Sequence, residues 1–216
     1  MRLAPEGWPF VRVALALDLA LLVVWYSWPS MWTGWLVGLG VLLTLWVAAF
    51  FRDPARQGPR GDHLVLAPAD GRVCSIAQVD EPMYLHQKAT RVSIFMNVLN
   101  VHVNRYPVSG EIEVVHYNPG QFTVASHDKA SLVNEQASVG ILGPRGPVLV
   151  RQIAGNIARR IVTDAAAGDR AVQGERLGMI RFGSRVDLFL DPAVPLKVAL
   201  DERVTAGQTV IAEYAR

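Results

Sequence analysis

The chain has 216 residues, enough for one ordinary soluble domain and a short appendage. A formal net charge of +2 gives no basis for nucleic-acid binding, and a single cysteine, Cys74, excludes an internal disulfide or a multi-cysteine metal site. The five histidines (His63, His86, His102, His116, His127) show no HxxxH or HExxH spacing, so no metal site is expected. All the basic residues except Lys88, Lys129 and Lys197 are arginine, whose planar fork suits phosphate and carboxylate groups. A GC-rich coding sequence would produce the same bias.

Hydrophobic residues make up 51% of the chain, and the excess sits almost entirely before Phe51. Two apolar runs, 13–28 and 32–51, flank Pro29-Ser30, and each is close to the length needed to span a bilayer. They predict an antiparallel helical hairpin over residues 1–51, with Trp25, Trp28, Trp32 and Trp35 gathered at its turn as an interfacial aromatic belt. Arg2 and Arg12 precede the pair and Arg52, Arg56 and Arg60 follow it, which places both ends in the cytoplasm. A cleavable signal peptide fits less well, because no A-x-A-like site ends a single apolar core. Asp18 would cost about 2.5–3.5 kcal/mol at the centre of a span, so it is expected near the interface. A buried soluble hairpin and a shallow re-entrant one remain alternatives.

Residues 52–63, polar and rich in Pro and Gly, read as a linker to a domain over 64–216. There the texture turns to short Val- and Ile-rich runs broken by Gly, Pro, Asp and Asn. Strands are expected at 64–67, 71–79, 90–96, 110–117, 137–142, 147–153, 178–181, 186–190 and 209–212. Helical turns are expected at 97–101 and 156–161. The spacing predicts a mostly β domain, a compact sandwich or barrel with few short helices. Neither GxGxxG nor GxxxxGKS occurs, so nucleotide cofactors have no support.

Four segments stand out together: PADGRV (68–73), FMNVLNVHVNRYPVSG (95–110), DKASLVNE (128–135) and RFGSRVDLFL (181–190). Singly, each reads as a turn, a core strand or a loop. Together and in this order, with FFRDP, GNIARRIV and GERLGMIRFGSRVD, they resemble the phosphatidylserine decarboxylase family, in particular its short bacterial and archaeal-type members.

The resemblance implies a precursor that cuts itself at Gly183-Ser184 into a β chain, 1–183, and an α chain, 184–216, which stay associated. In this chemistry the Ser184 hydroxyl attacks the Gly183 carbonyl and the amide becomes an ester. Loss of the Ser184 α-proton then eliminates the ester to dehydroalanine, and hydrolysis releases ammonia and leaves a covalent pyruvoyl cofactor. Serine needs a base, and the base an orienting partner. The family's Asp-His-Ser arrangement maps onto Asp70, His102 and Ser184. Longer members carry H-R-V-H-x-P, whereas HVNRYP here keeps the first histidine as His102 and has Arg105 at the second. His127 is the reserve base, and His116 and His63 read as surface or packing residues.

In turnover, the resemblance implies that the amine of phosphatidylserine forms a Schiff base with the pyruvoyl ketone, CO2 leaves, and phosphatidylethanolamine is released. Phe95 and Met96, with Val98, could wall the acyl chains or simply be core. Arg105 could grip the lipid phosphate or make a structural salt bridge. Lys129, Asn134 and Glu135 are expected near the site. The implied setting is the cytoplasmic side of the inner membrane, with the bilayer as partner; homo-oligomerisation is left open. Archaetidylserine is an alternative substrate. A further alternative is a non-enzymatic, membrane-anchored lipoyl-like adaptor, since PADGRV and AGQTV look like its paired hammerheads. That reading leaves GSR unexplained and lacks a modifiable hairpin lysine.

Overall fold

A computed structural model of the chain describes residues 2–120, 134–155, 160–181 and 184–215. The chain divides into two units, Met1–Ala55 and Arg56–Arg216.

In the first unit, strand β1 (Arg2–Leu3) leads through a 3-10 turn into helix α1 (Trp8–Ser27). Helix α2 (Met31–Phe50) returns to β2 (Arg52–Asp53), which pairs antiparallel with β1 inside the stretch expected as linker. Both helices are long and apolar enough to cross a membrane. Their turn is stopped and restarted by a reciprocal cap: Ser30 Oγ accepts from the Thr33 amide at 3.2 Å, and Thr33 Oγ1 accepts from the Ser30 amide at 3.1 Å. Asp18 lies near the middle of α1. It is buried between the helices, where Thr44 Oγ1 donates to Oδ2 at 2.7 Å. Gly40 makes the room, since a Cβ there would collide with the Asp18 carboxylate. A polar side chain in an apolar hairpin has little to bind but the facing helix, so partner and small neighbour come as a set.

In the second unit the strands are β3 (Leu64–Leu66), β4 (Gly71–Glu81), β5 (Gln87–Met96), β6 (Val103–Arg105), β7 (Gly110–Asn118), β8 (Gln136–Gly143), β9 (Gly146–Ala154), β10 (Ile161–Thr163), β11 (Arg170–Ala171), β12 (Arg176–Ile180), β13 (Ser184–Leu190), β14 (Arg203–Val204) and β15 (Val210–Glu213). Among the described residues, eight form one antiparallel sheet in the order β11-β7-β8-β9-β13-β5-β4-β14. A smaller sheet, β10-β12-β6, and the pair β15-β3 complete the set. The large sheet curls into a half-barrel, as the expected mostly β, barrel-like class requires. Register shifts between Val73 and Ser75 and between Ile112 and Val114 mark bulges that add local twist.

The core lies on one face of this sheet. Val92, Ile94 and Met96 of β5, Val148 and Val150 of β9, and Val186, Leu188 and Leu190 of β13 share it with Leu177 and Ile180 of β12. On the other face Leu85, Ala89, Leu149 and Phe189 form a second cluster. Strand β13 is therefore buried on both faces, with alternate residues serving each. Gly71, which opens β4, has to be glycine, because a Cβ would strike the Phe95 carbonyl.

One sequence expectation fails locally, and another lies mostly outside the described residues. Residues 97–101 form a hydrogen-bonded turn, Asn100 N to Asn97 O at 3.0 Å, instead of a helical one. The side chains of Asn97 and Asn100 accept from the amides of Leu99 and Asn97, both at 2.9 Å, and so offer the backbone an alternative to helix. Of the turn expected at 156–161, residues 156–159 lie outside the described residues, and Ile161 opens strand β10.

Glu81 closes β4 with a side chain only 1% exposed. It accepts from the amides of Tyr84 and Leu85 at 2.8 and 2.9 Å, more distantly from Met83, and from Arg151 at 3.1 Å. Burial pushes its carboxyl pKa up, but these donors outweigh burial and hold it below the usual glutamate value. Its stabilising contribution is therefore complete above the unfolded glutamate pKa and is lost as pH falls through the lower folded value. Glu81→Gln is expected to cost about 1–3 kcal/mol at neutral pH. Denaturant titrations from pH 7 to pH 3 should show that the variant loses less stability on acidification than the wild type.

Candidate active site around Ser184

Ser184 begins β13 between two strands, opposite Met96 of β5 and Ala154 of β9. It has no exposed surface. Its hydroxyl donates to Met96 Sδ at 3.4 Å, a weak acceptor that holds the side chain without neutralising it. The same sulfur accepts from Asn104 Nδ2 of β6 at 3.6 Å. Asn104 Oδ1 in turn accepts from Gln152 Nε2 at 2.7 Å, and Gln152 Oε1 from Thr163 Oγ1 at 2.8 Å. Asn104 and Gln152 are fully buried. Sequence reasoning missed this chain. Its one visible signal was an asparagine in HVNRY and a glutamine in VRQIA, polar residues beside Val103 and Ile153 where an apolar core would place others.

His102 is also fully buried, just before β6. Its Nδ1 lies 3.0 Å from the Asn100 carbonyl, which can only accept, so Nδ1 carries the proton in the neutral ring and Nε2 is the basic nitrogen. The His102 carbonyl accepts from the Ile180 amide at 3.3 Å, tying this turn to the end of β12, the strand that precedes Ser184. Asp70 is engaged elsewhere. Its Oδ2 accepts from Arg56 at 2.6 Å and its Oδ1 from the Ala206 amide at 2.8 Å, and neither described partner is His102. The PADG turn and the AGQTV segment do meet, joined by this contact and by the Gly207 amide on the Ala67 carbonyl at 2.9 Å.

The remaining sequence-predicted residues divide. Met96 faces Ser184, whereas Phe95 faces the other side of the sheet, opposite Arg185 and Arg72. There Phe95 lines an open cavity of about 420 Å³ with Arg72, Asn97, Leu99, Asn100 and Arg203. Arg105 is buried and donates to the Gly174 carbonyl at 3.0 Å, while its amide binds the Pro68 carbonyl at 2.9 Å. Asn134 is fully buried and donates to the carbonyl of Ala154, the register partner of Ser184, at 2.7 Å. Glu135 accepts from Tyr117 at 2.7 Å and from the Ile161 amide at 3.3 Å. That hydrogen bond to Glu135, with burial, raises the Tyr117 pKa. Arg185 and Asp187 of the GSRVD motif form a fully buried ion pair, 2.8 Å from Nε to Oδ1, on the face away from Ser184. Gly183, His127 and Lys129 lie outside the described residues.

The Arg56–Asp70 pair gives a test of what Asp70 does for the fold. Asp70→Ala and Arg56→Ala are each expected to lower stability by about 1–3 kcal/mol in denaturant titrations. The double variant should cost clearly less than their sum. Asp70→Asn, which keeps an acceptor for the Ala206 amide, should cost less than Asp70→Ala.

The family model for phosphatidylserine decarboxylase matches residues 43–212, most of the chain and every candidate residue named above. The match runs from the end of α2 through the whole sheet to β15. With Ser184 buried between two central strands and His102 tied to the strand before it, the chain belongs to the phosphatidylserine decarboxylase family.

Proposed function

We propose that the chain is the precursor of a pyruvoyl-dependent phosphatidylserine decarboxylase that cuts itself between Gly183 and Ser184. The observation that carries this reading is the state of Ser184. It is a fully buried hydroxyl that donates to a soft thioether, and the strand before it, β12, is tied to a histidine whose Nε2 is the basic nitrogen. His102 takes the Ser184 hydroxyl proton as Oγ bonds to the Gly183 carbonyl carbon. The Gly183–Ser184 C–N bond then breaks, leaving an ester and a free amine at Ser184. Removal of the Ser184 α-proton expels the Gly183 carboxylate and leaves dehydroalanine, and water replaces its nitrogen, releasing ammonia.

The site suits the resulting group. It would keep the carbon skeleton of Ser184, take its ketone oxygen from water and fill the same buried volume, with the Asn104 amide on the same Met96 sulfur. A pyruvoyl group supplies an electron sink for the bond to the departing CO2. The buried surround favours loss of a charged carboxylate, which is poorly solvated there. The products are phosphatidylethanolamine and CO2. Archaetidylserine carries the same headgroup, so assays with both lipids decide the preference. We place the helical hairpin in the inner membrane with both ends cytoplasmic, on the strength of its apolar helices and flanking arginines.

Intact mass of the purified wild-type chain should give two fragments, 1–183 and 184–216. The shorter should be lighter by one ammonia than a protease nick would leave it, block Edman degradation and react with hydrazines. Ser184→Ala should stay one folded, inactive chain. His102→Ala should slow cutting by about 10²–10⁴-fold. Cutting of His102→Ala at the wild-type rate would assign the base elsewhere, to His127 first. An intact and active wild-type chain would end the pyruvoyl reading.

Topology is checked separately. Ser30→Cys in a Cys74→Ser background should react with an impermeant maleimide on intact cells. Native Cys74, which is exposed on its own unit, should react only after lysis.

A further inference from the structure

We propose that Asn104 is a positioning residue for self-cleavage, acting through Met96 to hold the Ser184 hydroxyl in the rotamer from which it attacks. This rests on the self-cleavage reading above. Asn104 and Ser184 come from different sheets, β6 and β13, and both donate to one sulfur, at 3.6 and 3.4 Å. Methionine has three rotatable bonds and in a core normally fills space adaptably. Here its sulfur is held by the Asn104 amide on one side, which leaves a fixed acceptor for Ser184 on the other.

The amide is itself oriented. Asn104 Oδ1 is occupied by Gln152 Nε2 at 2.7 Å, and Gln152 Oε1 by the Thr163 hydroxyl at 2.8 Å, so the Asn104 –NH2 must face the sulfur. The chain Thr163–Gln152–Asn104–Met96–Ser184 thus crosses β10, β9, β6, β5 and β13 and ends on the nucleophile. Packing alone does not call for it. Apolar residues of similar size in these buried positions would meet no desolvation cost, whereas each polar group here needs its partner. The chain ends on a thioether, and this matters for chemistry. A hydroxyl leaves such a weak acceptor at little cost when the base draws its proton, whereas a carboxylate or carbonyl would keep it.

The test is a time course of cutting by the full-length precursor, synthesised without cells in the presence of lipid nanodiscs and followed on denaturing gels. Asn104→Leu and Met96→Leu should each slow cutting about tenfold or more. The double variant should be no slower than the slower single, because one residue acts through the other. The triple variant Asn104→Leu/Gln152→Leu/Thr163→Val removes the polar chain together with every partner it would orphan. It should keep the wild-type melting temperature and still cut slowly. Hydroxylamine, which cleaves esters and spares amides, should not restore cutting in Asn104→Leu, since the defect precedes ester formation.

A triple variant that folds and cuts at the wild-type rate would overturn the proposal, as would single effects that multiply or rescue by hydroxylamine. If the triple variant does not fold, the Met96 and Asn104 cycle decides. A wild-type chain that never cuts sinks the self-cleavage reading and this inference with it. Normal wild-type cutting with an unaffected Asn104→Leu sinks this inference alone.

Discussion

Strand β13 is buried on both faces, and most of the architecture follows from making that tolerable for the residues it carries. SRVDLFL is not a uniformly apolar string. Its leucines and valine enter the main core, but Ser184, Arg185 and Asp187 bring polar atoms into positions with almost no exposed surface. Arg185 and Asp187 satisfy each other two residues apart on one face. Ser184, on the opposite face, reaches a sulfur that a second sheet holds in place. Broken ion pairs in such surroundings are strongly destabilising, so this strand has little freedom to slide in register.

Among the described residues, the contact at the His102 ring differs from the one the Asp-His-Ser pattern implies. His102 is oriented by the Asn100 carbonyl, within a turn that the side chains of Asn97 and Asn100 build themselves. Asp70 meanwhile joins the PADG turn to Arg56 and to the Ala206 amide near the C-terminus. Those contacts hold the turn that leads into β4, and Gly71 within that turn passes hard against the backbone of β5. In this state of the chain the described contacts of Asp70 are with the frame around the site, and a backbone carbonyl faces the His102 ring.

How much was legible in the sequence depends on the range of the interaction. Period-two runs of Val and Ile located the long strands within a residue or three, because burial on one face leaves a local pattern. The short strands β6, β10, β11 and β14 were missed; each has only two or three residues, too few to show a period. Ser184 and His102 were singled out through motif resemblance. Asn104, Gln152 and Thr163 were not, since hydrogen bonds between residues 11 and 48 positions apart leave no local trace. Asp18 shows the same limit in the hairpin. Its partner Thr44 is 26 residues away on the other helix, and only the fold brings them together.

The pairing of the last third of the sheet has a consequence for the life of the molecule. β13 lies between β5 and β9, β14 is paired with β4, and β15 with β3, so every strand after residue 183 is laced to one before it. If the chain were severed ahead of β13, each strand of the shorter piece would still have its hydrogen-bonded partner in the longer one. What would change is the way back. The intact chain folds as one molecule, whereas two severed pieces, once unravelled, would have to find each other again at a rate set by their concentration. Durability after the cut then becomes a matter of how slowly the weave opens, a kinetic property in place of an equilibrium one.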